Sequence, residues 1–508
     1  MEHRNEDMIC KKILTSDNCT DISFEYILPD FFPDIRKSIH VFPSVRLTEA
    51  YVGNDRVQYS MTVSFGFMYR AEDKTLQCAE CKHECSDHIS IKNQNAVSAD
   101  VIPTLQNVNI RVANPRKIVF KARICADICV WGQESFAPEI NGNILSENEK
   151  QVLSVPVQSA DVTVIEDSAI SVSQDIAIPS EYPEADRIIT VYALPQITQT
   201  ESEDGSISFG ANITGIIVYS TVSDESGESG VAFLPISIPV TRTVVQEGVS
   251  SDCVCNARMS VYGITGNISE NAEGEKRVIE IDLLYDLRIL CMCNQEAEAI
   301  ADMYSTSHES NTSSKNISTE TAKGAYRSSF TVSGDLTQED SEQLNGDIIS
   351  AFAKESDITF SESGKRLTLQ GTLDICCICQ QGNELDSQTF KLPFKGDMEL
   401  PDIEMRTVYP DVSVGCANVN YDGEKYYFTC EIYVNALVTE NRSYTVLESI
   451  SVTENVLQTS AAPFTLYYPS ENEGAWQIAK KYGISPEELK KANPSLETKR
   501  VIVIPKKA

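Results

Sequence analysis

"VQYSMTVSFGFMY", residues 57–69, alternates from end to end: Val57, Tyr59, Met61, Val63, Phe65, Phe67 and Tyr69 hold every odd position. Successive side chains of a strand point to opposite faces, so a period of two predicts a half-buried strand with one apolar face. The run comes back twice. Its second copy is Ile207, Phe209, Ala211, Ile213, Gly215, Ile217 and Tyr219; its third is Leu367, Leu369, Gly371, Leu373, Ile375, Cys377 and Cys379. A further alternation closes each copy, from Ile118 to Ile128, from Ile279 to Ile289 and from Tyr426 to Ala436.

Upstream, "LPDFFPDIRKSI" (28–39) is echoed by "IPSEYPEADRII" (178–189), each with Pro-x-x-x-Pro before a basic residue and isoleucine; the third copy lacks this lead-in. The copies stand about 150 residues apart, too far for a solenoid, so they are duplicated domains. Long alternating strands between turn-rich connections predict antiparallel β-sandwiches or barrels. The expected architecture is mainly β, with β domains over residues 10–135, 160–298 and 325–455 and a different unit over 464–508. Linkers are expected around 133–160 and 301–325. The latter opens "ADMYSTSHESNTSSKNISTE", rich in Ser, Thr and Asn, and is expected to be flexible.

Of 508 residues, 74 are Asp or Glu and 42 are Lys or Arg, a formal charge of −32. Nucleic acid and anionic membranes repel such a chain, so neither is an expected partner. "MEHRNEDMICKK" at the start has no apolar stretch of the signal-peptide type. No apolar run approaches the roughly 18 residues of a membrane span. An intracellular setting is expected, and with it reduced thiols for the 16 cysteines. Cys376, Cys377, Cys379 and Cys430 fall inside apolar strand patterns, where cysteine acts as a small hydrophobe. The sulfurs of "CVC" (253–255), "CMC" (291–293) and "CCIC" (376–379) read first as core packing, and second as cross-linking groups of an assembly.

"CAECKHECSDH" (78–88) is the sharpest chemical cluster. Cys78, Cys81, Cys85 and His88 are candidate zinc ligands with Cys-x-x-Cys spacing, and His83 lies among them. The plainer reading is a loop between strands that holds polar and sulfur groups. There is no Walker or dinucleotide-type glycine loop, and His3, His40, His83, His88 and His308 sit in no hydrolase signature. No enzymatic activity and no cofactor are expected.

The last 45 residues change character. From Phe464 to Ala508, 8 Lys and Arg face 5 Asp and Glu, a net of +3 in an acidic chain. "FTLYY" (464–468) is strand-like, and "AWQIAKKY" (475–482) sets Trp476, Ala479 and Tyr482 at helical spacing. In "SPEE", Ser485 is an N-cap, Pro486 takes the first helical position and Glu488 completes a capping box. That helix is expected to run to about Ala492 and to break at Asn493-Pro494. "VIVIP" (501–505) closes the unit as a strand, giving the order β-α-α-β.

This unit resembles a LysM module, through its aromatic opening strand, "W-x-I-A-K-K-Y", "S-x-E-E-L", "N-P" and "V-I-V-I-P". The resemblance implies binding of N-acetylglucosamine-containing glycans in a groove between the loop after the first strand and the loop before the last. Tyr468, Glu473, Gly474, Trp476, Ile478, Asn493 and Pro494 are the residues it marks for a partner or a glycan. The family's Gly-Asp first loop is replaced here by "SENEGAW" (470–476), which points toward a protein partner. Trp476 is an anchor for that partner or completes the small core, and its spacing suits both roles.

The lead-in "LPDFFPDIRKSI" with its alternating strand and "NPRKIVFKARICADICVW" (114–131) resembles the SPOCS domain of bacterial sporulation proteins. SPOCS repeats with a terminal LysM module resemble the family that anchors the endospore coat. That resemblance implies a non-enzymatic scaffold in the mother-cell cytoplasm at the outer forespore surface. Its LysM module would bind the coat ATPase, with other coat proteins and self-association as further contacts. The alternative is a protein binding peptidoglycan or N-acetylglucosamine in wall or cortex.

Overall fold

Every alternating run becomes the middle strand of a sheet. The computed structural model describes residues 8–92, 95–142, 149–222, 230–336, 344, 346–382, 384–423, 425–457, 464–470, 473–494 and 501–505. The first unit is β1 (Met8–Ile27), β2 (Ile35–Val52), β3 (Arg56–Ala71), β4 (Leu76–Ser90), β5 (Ala96–Asn114) and β6 (Lys117–Ser135). A short β7 (Glu139–Gly142) follows. The second unit is β8 (Lys150–Ala177), β9 (Ala185–Glu203), β10 (Ser206–Thr221), β11 (Val231–Val245), β12 (Val254–Ser269) and β13 (Val278–Ser305). The third is β14 (His308–Asp335), β15 (Asp347–Ser363), β16 (Arg366–Gln381), β17 (Glu384–Glu399), β18 (Arg406–Val414), β19 (Asn418–Tyr421) and β20 (Tyr426–Val456). The tail holds β21 (Phe464–Tyr467), α1 (Ala475–Tyr482), α2 (Pro486–Ala492) and β22 (Ile502–Pro505).

One topology is used three times. The first strand of a unit enters one sheet, the next three form an antiparallel meander, and the last long strand returns to pair with the first. The sheet orders are β1-β6-β5 with β2-β3-β4, β12-β13-β8 with β9-β10-β11, and β14-β20-β18 with β15-β16-β17. Each pair of sheets closes over its own core, and the alternating residues fill it. Phe65, Phe67 and Tyr69 are fully buried; burying a side chain of this size contributes roughly 2–3 kcal/mol. Cys377, Cys379 and Cys430 are buried in the third core, as small hydrophobes.

The opposite faces of these strands are buried as well. Met68, Val218 and Ile378, at matching places on β3, β10 and β16, point out of their own sandwiches and into one shared cluster with Ile39, Phe233 and Phe352. A second shared cluster joins Trp131 of β6, Leu290 and Met292 of β13 and Leu437 of β20. Strands covered on both sides need apolar side chains at both parities. "FGFMY", "GIIVY" and "ICCIC" at the ends of the three runs have them.

The lead-in segments owe their shape to one arginine each. Arg116 donates through its guanidinium to the carbonyls of Leu28 (3.1 Å), Pro29 (3.0 Å) and Phe32 (3.3 Å), and to the Asp34 carboxylate (2.6 Å). Arg277 does the same for Pro179 (3.2 Å) and Tyr182 (2.8 Å). The hydroxyls of Tyr69 and Tyr219 close the loops by donating to Pro33 and Pro183, both at 2.9 Å. In the third unit Leu336 still donates its N–H to a carbonyl, that of Tyr426 (3.1 Å), and Cys379 stands where the tyrosines stand. Residues 337–343 and 345, which follow Leu336, lie outside the described set.

Two expectations are corrected. Residues 301–325 are strand, not flexible linker: β13 runs on to Ser305, and β14 pairs with β20 along its length. Main-chain pairing tolerates small Ser and Thr side chains, and the extension is packed through Val157, Ala299, Met303, Ile317, Val446 and Leu447. The stretch around 133–160 is likewise built in where it is described. Phe136 is buried with these residues, and β7 pairs in parallel with Ser449–Val452 of β20. Nor are all thiols reduced. Cys19 and Cys125, directly opposite on β1 and β6, form a disulfide, and so do Cys253 and Cys293.

Candidate functional site

Ile478, Ala479, Ile484, Leu489, Ile502 and Ile504 form the tail's core, with the β21–β22 pair closing one side. The second helix begins as its sequence prescribes. Ser485 Oγ accepts from the N–H of Glu488 (3.1 Å), the Glu488 carboxylate accepts from the N–H of Ser485 (3.2 Å), and Pro486 opens the helix. Such a cap is worth about 1 kcal/mol. Gly483 ends α1 at φ +60°, and a Cβ there would stand 2.6 Å from Leu457 Cδ1.

That close approach marks a seam between the tail and the long strands. Tyr304, near the end of β13, belongs to the tail's core. Its hydroxyl donates to the Ile484 carbonyl at 2.7 Å, and its ring meets Trp476 edge-on at 4.9 Å. Burial with Asp302 and Glu488 nearby pushes the Tyr304 phenol well above its usual range. The Trp476 indole N–H donates to Asp302 Oδ2 at 2.7 Å, and Lys480 Nζ donates to Asp302 Oδ1 at 2.6 Å and to Thr312 Oγ1 at 3.2 Å. A carboxylate shared by an indole and an ammonium is a charge-assisted contact, stronger than a neutral pair.

The marked residues therefore divide. Ile478 is core, and Asn493, buried, bridges Leu489 and Val503 through both ends of its amide. Trp476 faces the long strands. Glu473 accepts from the Tyr467 hydroxyl (2.6 Å) and the Ser470 N–H (3.3 Å), and the tyrosine contact holds its carboxyl below the usual range. Tyr468, Gly474 and Pro494 are exposed. Sequence reasoning missed Phe464 and Leu466, 55% and 53% exposed on one face of β21, with Tyr468, 69% exposed, just past its end. Val503 and Pro505 stand opposite Leu466 and Phe464 on β22. The odd–even pattern of "FTLYY" held that signal.

The proposed ligand set at 78–88 does not converge. This stretch is strand β4, paired with β3 without a register shift. Cys78 and His88 fall on one face, Cys81 and Cys85 on the other. Cys78 packs toward the cluster shared by the three units, and desolvation pushes its thiol up to about 12. Cys81 and Cys85 belong to the first unit's own core, where His83 stacks on Phe24 at 4.6 Å. Four ligands split across a sheet cannot share one ion.

Residues 473–505 match the LysM domain family. The chain thus carries a C-terminal LysM domain, a class of module whose presence suggests binding of peptidoglycan or another glycan. No curated protein and no solved structure matches the chain. Among the described residues, no helix is long and apolar enough to cross a membrane.

Proposed function

We propose that the chain is a non-enzymatic scaffold of the bacterial endospore coat, held at the outer forespore surface by a protein partner of its LysM domain. The observation that carries this reading is the outward stripe of Phe464, Leu466 and Tyr468. Aromatic and aliphatic side chains on a flat two-stranded face suit a protein surface, where such groups dominate binding energy. Trp476 and Glu473, two candidates for a sugar groove, are instead engaged within the chain. The repeated β units, resembling SPOCS domains, are the scaffold's body, and the coat ATPase is the partner this resemblance implies.

Glycan binding is the second reading, favoured by the LysM match itself. Full-length protein offered to the ATPase and to insoluble peptidoglycan separates the two. Leu466→Asp with Tyr468→Ala is expected to weaken ATPase binding at least about tenfold, or roughly 1.4 kcal/mol. Retention on peptidoglycan that soluble N-acetylglucosamine oligomers reverse, with no ATPase binding, would replace the scaffold reading by the glycan one.

A further inference from the structure

Two thiols of unit two stand face to face in its core. The β12–β13 register sets Cys255 directly opposite Cys291, and their sulfurs lie 2.7 Å apart. A covalent S–S bond is about 2.05 Å long, so these sulfurs stand only about 0.7 Å beyond one. The neighbouring rung already carries such a bond. Cys253, just before β12, is joined to Cys293, and residues two apart on a strand point to the same face. That bond holds the two strands together beside Cys255 and Cys291, so joining them orders little further chain. A directly opposite pair is closed in unit one as well, at Cys19 and Cys125.

The fold does not require sulfur at this rung. Its counterparts are Ala99 opposite Val130 on β5 and β6, and Val408 opposite Val438 on β18 and β20. All four pack in the cores of their own units. Alanine and valine meet the packing need there, so sulfur in unit two points to chemistry.

The two sulfurs differ in their surroundings. Cys291 lines a cavity of about 370 Å³ between units one and two, and Cys255 is not part of that lining. The contact from Cys255 holds the Cys291 thiol below its ordinary range. That same contact, with burial, pushes Cys255 well above its own. The thiolate is the nucleophile, so Cys291 attacks first and Cys255 follows. Asp161 and Glu247 on the cavity wall disfavour an anionic oxidant and leave a small neutral one.

We propose that Cys255 and Cys291 are a redox pair, which hydrogen peroxide converts into a second cross-strand disulfide of unit two. The Cys291 thiolate attacks one peroxide oxygen, the O–O bond breaks, and Cys291 becomes a sulfenic acid as hydroxide leaves. The Cys255 sulfur then attacks Cys291, the S–O bond breaks and the S–S bond forms. Hydroxide leaves again, and the two thiol protons turn both hydroxides into water. Two thiols and one peroxide thus give one disulfide and two waters, with the sulfurs oxidised and the oxygens reduced.

The test uses the full chain, reduced with a thiol, desalted, and then treated or not treated with a small excess of hydrogen peroxide. Free thiols are alkylated with a light reagent in denaturant; disulfides are then reduced and the released thiols take a heavy reagent. Cys255 and Cys291 are expected to be light without peroxide and heavy, both together, with it. In a Cys253→Ser, Cys293→Ser double variant, the tryptic peptides bearing Cys255 and Cys291 should be recovered joined to each other. In Cys255→Ser, a cyclic 1,3-dione should trap the sulfenic acid on Cys291. Light label kept by both cysteines after peroxide overturns the proposal. So does linkage of either one to a different cysteine, or a sulfenic acid trapped on Cys255 in Cys291→Ser with none on Cys291 in Cys255→Ser.

Discussion

Arg116 shows how much one side chain can organise. It serves three carbonyls and two carboxylates, those of Asp30 and Asp34, in a loop that has no ladder partner of its own. Only a planar fork of donors can do this, so lysine is not an adequate substitute. Arg116→Lys is expected to cost about 2 kcal/mol locally. The check is hydrogen exchange, faster at the N–H groups of Leu28, Phe32 and Ile35 and unchanged in units two and three. Its sequence signal was the repeated Pro-x-x-x-Pro lead-in, and the arginine that shapes it lies nearly 90 residues downstream. Cysteine was legible as a core residue at Cys377, Cys379 and Cys430, where only parity matters. The Cys19–Cys125 disulfide was not, because it depends on the register of two strands far apart in sequence.

At the scale of elements, the alternating runs were read correctly as strands and the tail correctly as β-α-α-β, since both depend on local periodicity and capping. The extension of β13 and β14 through 301–325 was misread, because their Ser and Thr side chains carry little hydrophobic signal. That extension matters, for it bears Asp302 and Tyr304, the groups on which the LysM domain sits. Asp302→Ala removes the shared acceptor of Trp476 and Lys480 and is expected to cost about 1–2 kcal/mol at this seam. Tryptophan fluorescence offers a clean readout, because Trp131, the other tryptophan, is buried in a different cluster. A red shift of Trp476 with far-ultraviolet circular dichroism unchanged is the expected outcome; an unaltered spectrum would show that the seam holds without the carboxylate.

Across the whole molecule, the three units meet around ionic contacts as well as apolar ones. Asp100 of unit one accepts from Arg258 (2.7 Å) and Arg288 (3.1 Å) of unit two, and Arg258 lies 3.6 Å from Asp411 of unit three. Burial opposes ionisation of Asp100, but the two guanidiniums outweigh it and hold its carboxyl below the usual range. A depressed carboxyl contributes stability above its unfolded value of about 4 and loses it as pH falls through the folded one. Asp100→Ala removes the acceptor that two buried cations share, leaving Arg258 with Asp411 and Arg288 with Glu166, and is expected to cost about 1–3 kcal/mol at neutral pH. The difference from the native chain should shrink below about pH 4. Thermal denaturation of both proteins across that range checks magnitude and sign; a constant difference would show that the Asp100 charge is not what joins the units.

The sequence by itself determined the strands, their threefold repetition, the tail's order and caps, and which parity faces each unit's own core. These follow from contacts a few residues apart, or from a period that local geometry imposes. Only the tertiary structure decided that Met68, Val218 and Ile378 meet, that the candidate ligands of β4 part across a sheet, and that Cys253 is joined to Cys293. It alone decided that Trp476 turns toward Asp302 while Phe464, Leu466 and Tyr468 are left facing outward. Register and docking join residues tens to hundreds of positions apart, and no local period carries that information.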